Sequence, residues 1–264
     1  MGLANISNAI RHDKSSGEPL PDVWKSLTAA TAVFRRGQIV VIGGAPGTGK
    51  SAFALTLLIK SGCRSIYFSA DSGPGTQLVR SVSILTGREV SEVQEAMDKG
   101  AAFDDYLKPV SRIWWEFDAG PTLESIEESV RAYSYLGAYP EIICIDNLLN
   151  VDLGESTAQE YQNVENVLLF CQELARTTGA CVIVLAHLTG EFEDGTKPPP
   201  LGALRGKGGK IPEMVLNIYR EESPMGVDLG VAIVKNRGGT ASAACGHTVS
   251  LKLDLSRMLI EDMN

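Results

Sequence analysis

Residues 39–54 read IVVIGGAPGTGKSAFA. Ile39–Ile42 is a β-branched run with the composition of a short buried strand, and Ser51–Lys60 has helical spacing. Between them, Gly44 is followed by four residues and then by Gly49-Lys50-Ser51, the spacing of a phosphate-binding loop. Glycines permit the backbone angles that turn successive N–H groups inward. A helix that begins at the bound phosphate then presents the positive end of its dipole. The stretch Gly44, Ala45, Pro46, Gly47, Thr48, Gly49, Lys50, Ser51 and Ala52 is therefore expected to hold ATP. Lys50 is expected to reach the β- and γ-phosphates, and the Ser51 hydroxyl to ligate Mg²⁺.

Working outward, strands and helices alternate. Ser65–Ser69, Val110–Trp115, Glu141–Ile145 and Cys181–Ala186 are expected strands. Thr76–Leu85, Ser91–Lys99, a helix capped by Thr122 and reaching Leu136, and Ala158–Thr178 are expected helices. Continuous apolar runs between helices predict a mostly parallel sheet covered on both faces. Beyond Ala186 the pattern changes. Met214–Arg220, Val227–Lys235 and Val249–Leu255 read as strands with little helix between them, so the sheet is expected to continue with antiparallel members.

Ligands of such α/β sheets bind at the carboxyl ends of the strands, and three polar residues stand where apolar runs stop. Asp146, after Ile142–Ile145, is the candidate second magnesium ligand; its alternative is a helix cap. Asp71, ending SIYFSAD, is the candidate carboxylate for the attacking water; its alternative is a turn with Ser72-Gly73-Pro74. His187, ending VIVLAH, is the candidate sensor of a γ-phosphate; its alternative is a satisfied core histidine.

The 264 residues are 44% hydrophobic and 21% charged, ordinary values for a globular chain. No cleavable leader is evident, and no apolar run approaches the roughly 20 residues that span a bilayer, so a cytoplasmic protein without membrane contact is expected. The five cysteines, Cys63, Cys144, Cys171, Cys181 and Cys245, have no metal-binding spacing and read as small buried hydrophobes. A net charge of −8 does not coat nucleic acid by bulk electrostatics. Any such contact needs a local basic patch. Thr189–Lys210 is one candidate, with three consecutive prolines, six glycines and Lys197, Arg205, Lys207 and Lys210; a flexible solvated loop is the alternative.

With these residues in order, residues 19–255 resemble the motor domain of hexameric replicative helicases of the DnaB type, within the RecA-like ATPases. The resemblance is carried by PLPDVWKSLTAATAVFRRGQIVVIGG, YFSADSGPGTQLVR, IICIDNLL, VLAHL, TKPPPLGALRGKGG and VAIVKNRGG. It implies a RecA-like P-loop core over residues 19–264, preceded by a linker arm over residues 1–18. It also implies a homo-hexameric ring acting on single-stranded DNA. VAIVKNRGG is similar to the segment that supplies an arginine finger, which makes Lys235 and Arg237 its candidates. As i and i+2 on a strand they share a face, although two solvated charges at a strand end would look the same. The loops Asn150–Glu160 and Thr189–Lys210 are expected to face the ring's channel, the first acidic, the second holding the DNA backbone. Arg80 is the adenine-side candidate, carried over from the family's helix.

Three departures accompany the resemblance. Asp71 stands where the family has glutamate and is one methylene shorter. His187 stands where it usually has glutamine. Only about 20 residues precede the resemblance, so a stand-alone plasmid- or phage-like form is expected, with Leu3, Ile6 and Ile10 docking on the next subunit. A filament-forming recombination ATPase and a regulatory ATP-binding module without DNA remain alternatives on the same core.

Overall fold

The computed structural model describes residues 17–154, 160–223 and 226–263. Leu3, Ile6 and Ile10, expected to dock on the next subunit, lie outside them. The described strands are β1 (Ile39–Gly44), β2 (Ser65–Ser69), β3 (Ile113–Glu116), β4 (Ile142–Asp146), β5 (Cys181–Ala186), β6 (Met214–Ser223), β7 (Gly226–Asn236), β8 (Thr248–Asp254) and β9 (Leu259–Asp262). They form one sheet in the order β3-β2-β4-β5-β1-β6-β7-β8-β9. Pairing is parallel from β3 through to β6 and antiparallel from β6 to β9. The described helices are α1 (Lys25–Ala29), α2 (Lys50–Ser61), α3 (Pro74–Thr86), α4 (Val90–Asp98), α5 (Asp104–Leu107), α6 (Leu123–Ser134) and α7 (Glu160–Thr178). None of them is long and apolar enough to cross a membrane.

The unbroken apolar runs are explained by burial on both faces. Along β1, Val40 and Ile42 join the cluster that contains Phe53, Leu55 and Leu58 of α2, while Ile39 and Val41 join the one that contains Val167, Leu168 and Cys171 of α7. The strands β4 and β5 divide their residues in the same way, Cys144 and Cys181 facing one cluster, Ile145 and Val182 the other. Cys63, Cys144, Cys171 and Cys181 are buried free thiols, and Cys245 is half-buried.

Most expected elements appear within a residue or two of their predicted bounds. The strand expected from Val110 begins at Ile113, because Lys108–Val110, with Pro109 inside it, closes a 3₁₀ turn. The strand from Met214 is not the first antiparallel member; it lies parallel beside β1 and turns back only into β7. Three short elements, α1, α5 and β9, are additional. Trp24 cannot cap α1, so Asp262 of β9 does, accepting the backbone N–H groups of Lys25 (2.8 Å) and Ser26 (3.0 Å). Trp24 also stacks on Phe53, with centroids 4.3 Å apart, and donates its indole N–H to the Ile260 carbonyl. The chain entering the phosphate loop is thus locked to the far end of the sheet.

Candidate nucleotide site

The parallel strands β2, β4, β5 and β1 end flush. Ser69 pairs with Asp146, Ile145 with Val184, and Gly43 with Ala186. Their first polar residues therefore emerge at one edge. The turn after β1 enters α2 through Gly49, whose φ of 105° is open to glycine and strained for other residues. The Lys50 ammonium is folded back over this turn, donating to the carbonyls of Gly44 (2.8 Å) and Ala45 (2.9 Å). The Thr48 hydroxyl also donates to Ala45 O (2.8 Å). Ser51 stands in the first turn of α2, and Ala52 is buried beneath it.

Lys50 is almost fully buried. Burial pushes its pKa down to about 8, against the partial counteraction of Asp146 and Asp71. A cation held this way, beside the amides of a helix N-terminus and two hydroxyls, is a donor set that fits a polyphosphate. An anion bound there restores the charged form, so nucleotide binding at pH 8 is expected to take up about half a proton and at pH 6.5 almost none. Calorimetry in buffers of different ionisation heat measures this. Equal uptake at both pH values, or uptake retained in Lys50→Ala, would contradict it.

Asp146 is buried, and the Tyr67 hydroxyl, itself fully buried, donates to its Oδ2 at 2.7 Å. The Asp71 carboxylate is exposed but held at both oxygens. Asn147 Nδ2 donates to Oδ2 (2.8 Å) and Asn150 Nδ2 to Oδ1 (3.0 Å). His187 is half-buried. Burial and then the Lys50 charge lower its pKa, while Asp71 and Asp146 pull it up, so it is uncharged at neutral pH. Lys50, Asp71, Asp146 and His187 thus share one electrostatic neighbourhood. The arrangement combines an anion cradle, two carboxylates and a neutral imidazole.

Arg80 reaches Ser72, next to Asp71, with NH1 at 3.2 Å from the Ser72 hydroxyl. Arg220, near the end of β6, was not anticipated. Its guanidinium donates to the Gly47 carbonyl inside the phosphate loop. It obeys the rule that identified Asp71 and Asp146, being the first charged residue after a buried parallel run. Grouping β6 with the antiparallel strands concealed it. Tyr67, Asn147 and Asn150 carried no spacing signal.

Lys235 and Arg237 are not at this edge. Val215 pairs with Lys235 and the Arg237 N–H donates to Glu213 O, level with Ile39 at the start of β1. Gly44 lies about 17 Å further along the strand at 3.3 Å per residue. Although β7 ends at Asn236, the two side chains converge: Lys235 Nζ donates to Lys210 O (2.6 Å), and Arg237 approaches the same oxygen at 3.4 Å. Glu213 lies 3.8 Å from the Arg237 guanidinium.

Thr189–Lys210 is a folded strap with three 3₁₀ turns. The Arg205 N–H donates to His187 O (3.1 Å), and Leu188 bridges to Leu204. Two of the four candidate DNA cations have carboxylates nearby: Arg205 pairs with Glu160 at 2.6 Å and Lys197 reaches Glu191 at 4.0 Å. Lys207 and Lys210 lie on the part of the strap that crosses Val164 and Leu168 of α7. Residues 155–159 of the other expected channel loop lie outside the described residues.

Comparison with known proteins extends this geometry. The family profile described as "DnaB-like helicase C terminal domain" matches residues 20–250. The chain is 39% identical over 253 residues to the "Gene 65 protein" of Mycobacterium phage L5, covering 94% of each chain. It is 24% identical over 244 residues to a "Probable plasmid replicative DNA helicase" of Chlamydia trachomatis, spanning 87% of this chain and 53% of that relative. Among solved structures, that of a DnaB-like replicative helicase studied with its primase interactions superposes with a TM-score of 0.80 at 19% identity, covering 100% of this chain and 68% of that one.

Proposed function

The chain belongs to the DnaB-like helicase C-terminal domain family, an ATP-hydrolysing helicase family, and we propose that it works as a ring of six copies moving on single-stranded DNA. The observation that carries this reading is the separation of Arg237 from the phosphate loop of its own chain. An arginine about 17 Å back along the strand from its own P-loop has no short path to that site. In a closed ring of identical contacts, the same arginine meets the phosphate loop of the next copy.

In this mechanism Lys50 and the N–H groups at the start of α2 bind and orient the β- and γ-phosphates. Ser51 and Asp146 would hold Mg²⁺, which would neutralise phosphate charge. Tyr67 keeps the Asp146 carboxylate turned toward the site. Asp71, aimed by Asn147 and Asn150, orients the attacking water and draws on its proton. His187, uncharged, donates one N–H toward the γ-phosphate and reports its presence to the strap through its carbonyl, which accepts the Arg205 N–H. Arg237 of the neighbouring copy offsets charge that develops as the γ-phosphoryl group transfers. Arg220, already bonded to Gly47 O, closes the other flank of the loop.

The DNA contact in this reading is Lys197, Arg205, Lys207 and Lys210, repeated around the ring so that cations converge although each chain is acidic. Phosphate contacts of this kind are sequence-independent and salt-sensitive. Single-stranded DNA affinity is expected to fall steeply with salt and to drop about tenfold or more in a Lys207→Ala/Lys210→Ala variant. Fluorescence anisotropy on a labelled homopolymer measures both. Affinity unmoved by salt and by the double substitution would remove the strap as the DNA contact, and no binding at all would leave a regulatory ATPase that does not act on DNA.

A further inference from the structure

Asn217 is the polar exception on the inner part of β6. It is fully buried, between Leu216 and Ile218, which are equally buried. Its side-chain amide donates to two consecutive carbonyls, Pro199 O (2.9 Å) and Pro200 O (3.0 Å). Its Oδ1 has no partner among the described residues. The amide fits only because β1 has a glycine opposite: a Cβ on Gly43 would lie 2.3 Å from Asn217 Oδ1. A buried amide that is half satisfied is worse for stability than a leucine of similar size. What the asparagine provides here is a grip on the strap.

The strap is held at a second point. The Arg220 N–H donates to Gly195 O at 2.7 Å, and Gly195 lies directly on the phosphate loop, where a Cβ would be 2.4 Å from Thr48 Cγ2 and 3.1 Å from Ala45 Cβ. Residues 195–200, which include Lys197, are therefore fastened at both ends while resting on the P-loop. Pro198-Pro199-Pro200 has fixed φ angles and offers no N–H of its own, so this piece moves as a stiff unit gripped through its carbonyls.

We propose that Asn217 is a positioning residue that makes the Lys197-bearing segment follow the phosphate loop, so that the grip on single-stranded DNA depends on the nucleotide bound. This rests on the DNA reading given above. The test is DNA affinity measured twice, with a non-hydrolysable ATP analogue and with ADP, for the wild type, Asn217→Leu and Asn217→Ser. The wild type is expected to differ between the two states by about fivefold or more, and both variants by less than about twofold. Asn217→Leu should show this with an unreduced melting temperature; Asn217→Ser covers the case in which leucine does not fold. Hydrogen exchange at the Leu201 and Arg220 amides, which donate to Ala243 O and Gly195 O, should quicken in both variants. A variant that keeps the wild-type ratio, or a wild type with equal affinities in the two states, overturns the inference. Wild-type protein that binds no DNA in either state overturns the DNA reading instead.

Discussion

Arg237→Ala is expected to lower ATP turnover by about a thousandfold or more, with ATP affinity nearly unchanged. The asymmetry follows from where the residue stands. Within its own chain Arg237 is level with Ile39 and bonded to the Glu213–Lys210 corner, so its loss removes nothing from the cradle formed by Lys50 and the α2 N-terminus. The charge is missing only in the transition state, which lowers kcat and leaves ground-state binding in place. Lys235 contributes differently. Burial, and then Arg237, lower its pKa, and its ammonium is committed to the Gly209 and Lys210 carbonyls. It braces the arginine's corner. Steady-state hydrolysis together with binding of a fluorescent ATP analogue separates the two parameters. A parallel loss of affinity, or a turnover within tenfold of wild type, would contradict the finger role.

Asp71→Asn is the second large effect, about 10²- to 10⁴-fold in turnover. The carboxylate accepts from Asn147 and Asn150 at once, so the substitution removes the base and also sets amide donors against an amide. The effect exceeds what loss of one hydrogen bond causes, while Mg²⁺ and ATP binding through Ser51, Asp146 and Lys50 persist. Asp71→Glu tests the fit of the shorter side chain. The asparagines sit where an aspartate needs them, so restoring the family's longer acid is expected to slow the enzyme, not to improve it. Single-turnover hydrolysis measures both variants. Asp71→Asn with a rate within tenfold of wild type would move the water-activating role elsewhere.

Much of this was legible before the structure because the parallel sheet writes its pattern plainly. Strands buried on both faces are continuous apolar runs, and the first ionisable residue after each run marks the edge of the candidate site, which is the pattern of Asp71, Asp146 and His187. What was hidden depends on tertiary contact. Tyr67 sits mid-strand, where a hydroxyl looks like any core aromatic until Asp146 lies beside it. Asn217 is one polar residue in an apolar run and gains meaning only from the Pro199 and Pro200 carbonyls, 18 and 17 residues away in the chain. The strap itself, rich in proline and glycine, reads as a free loop; its order comes from partners on β6, α7 and the phosphate loop. The edge strand β9 is four residues long and half polar, too short for a periodic signal, and is held by its contacts with Trp24 and α1.

Mixed oligomers test most directly whether each site is shared between two neighbouring copies. Lys50→Ala subunits lack the cradle but keep Arg237, and Arg237→Ala subunits keep the cradle but lack the finger. Each alone is expected to be nearly inactive. Combined in equal amounts before assembly, with single-stranded DNA present, they should regain about a quarter of the wild-type rate, the share of interfaces that join an intact cradle to an intact finger. A mixture no more active than its two components would contradict a site built from two neighbouring copies.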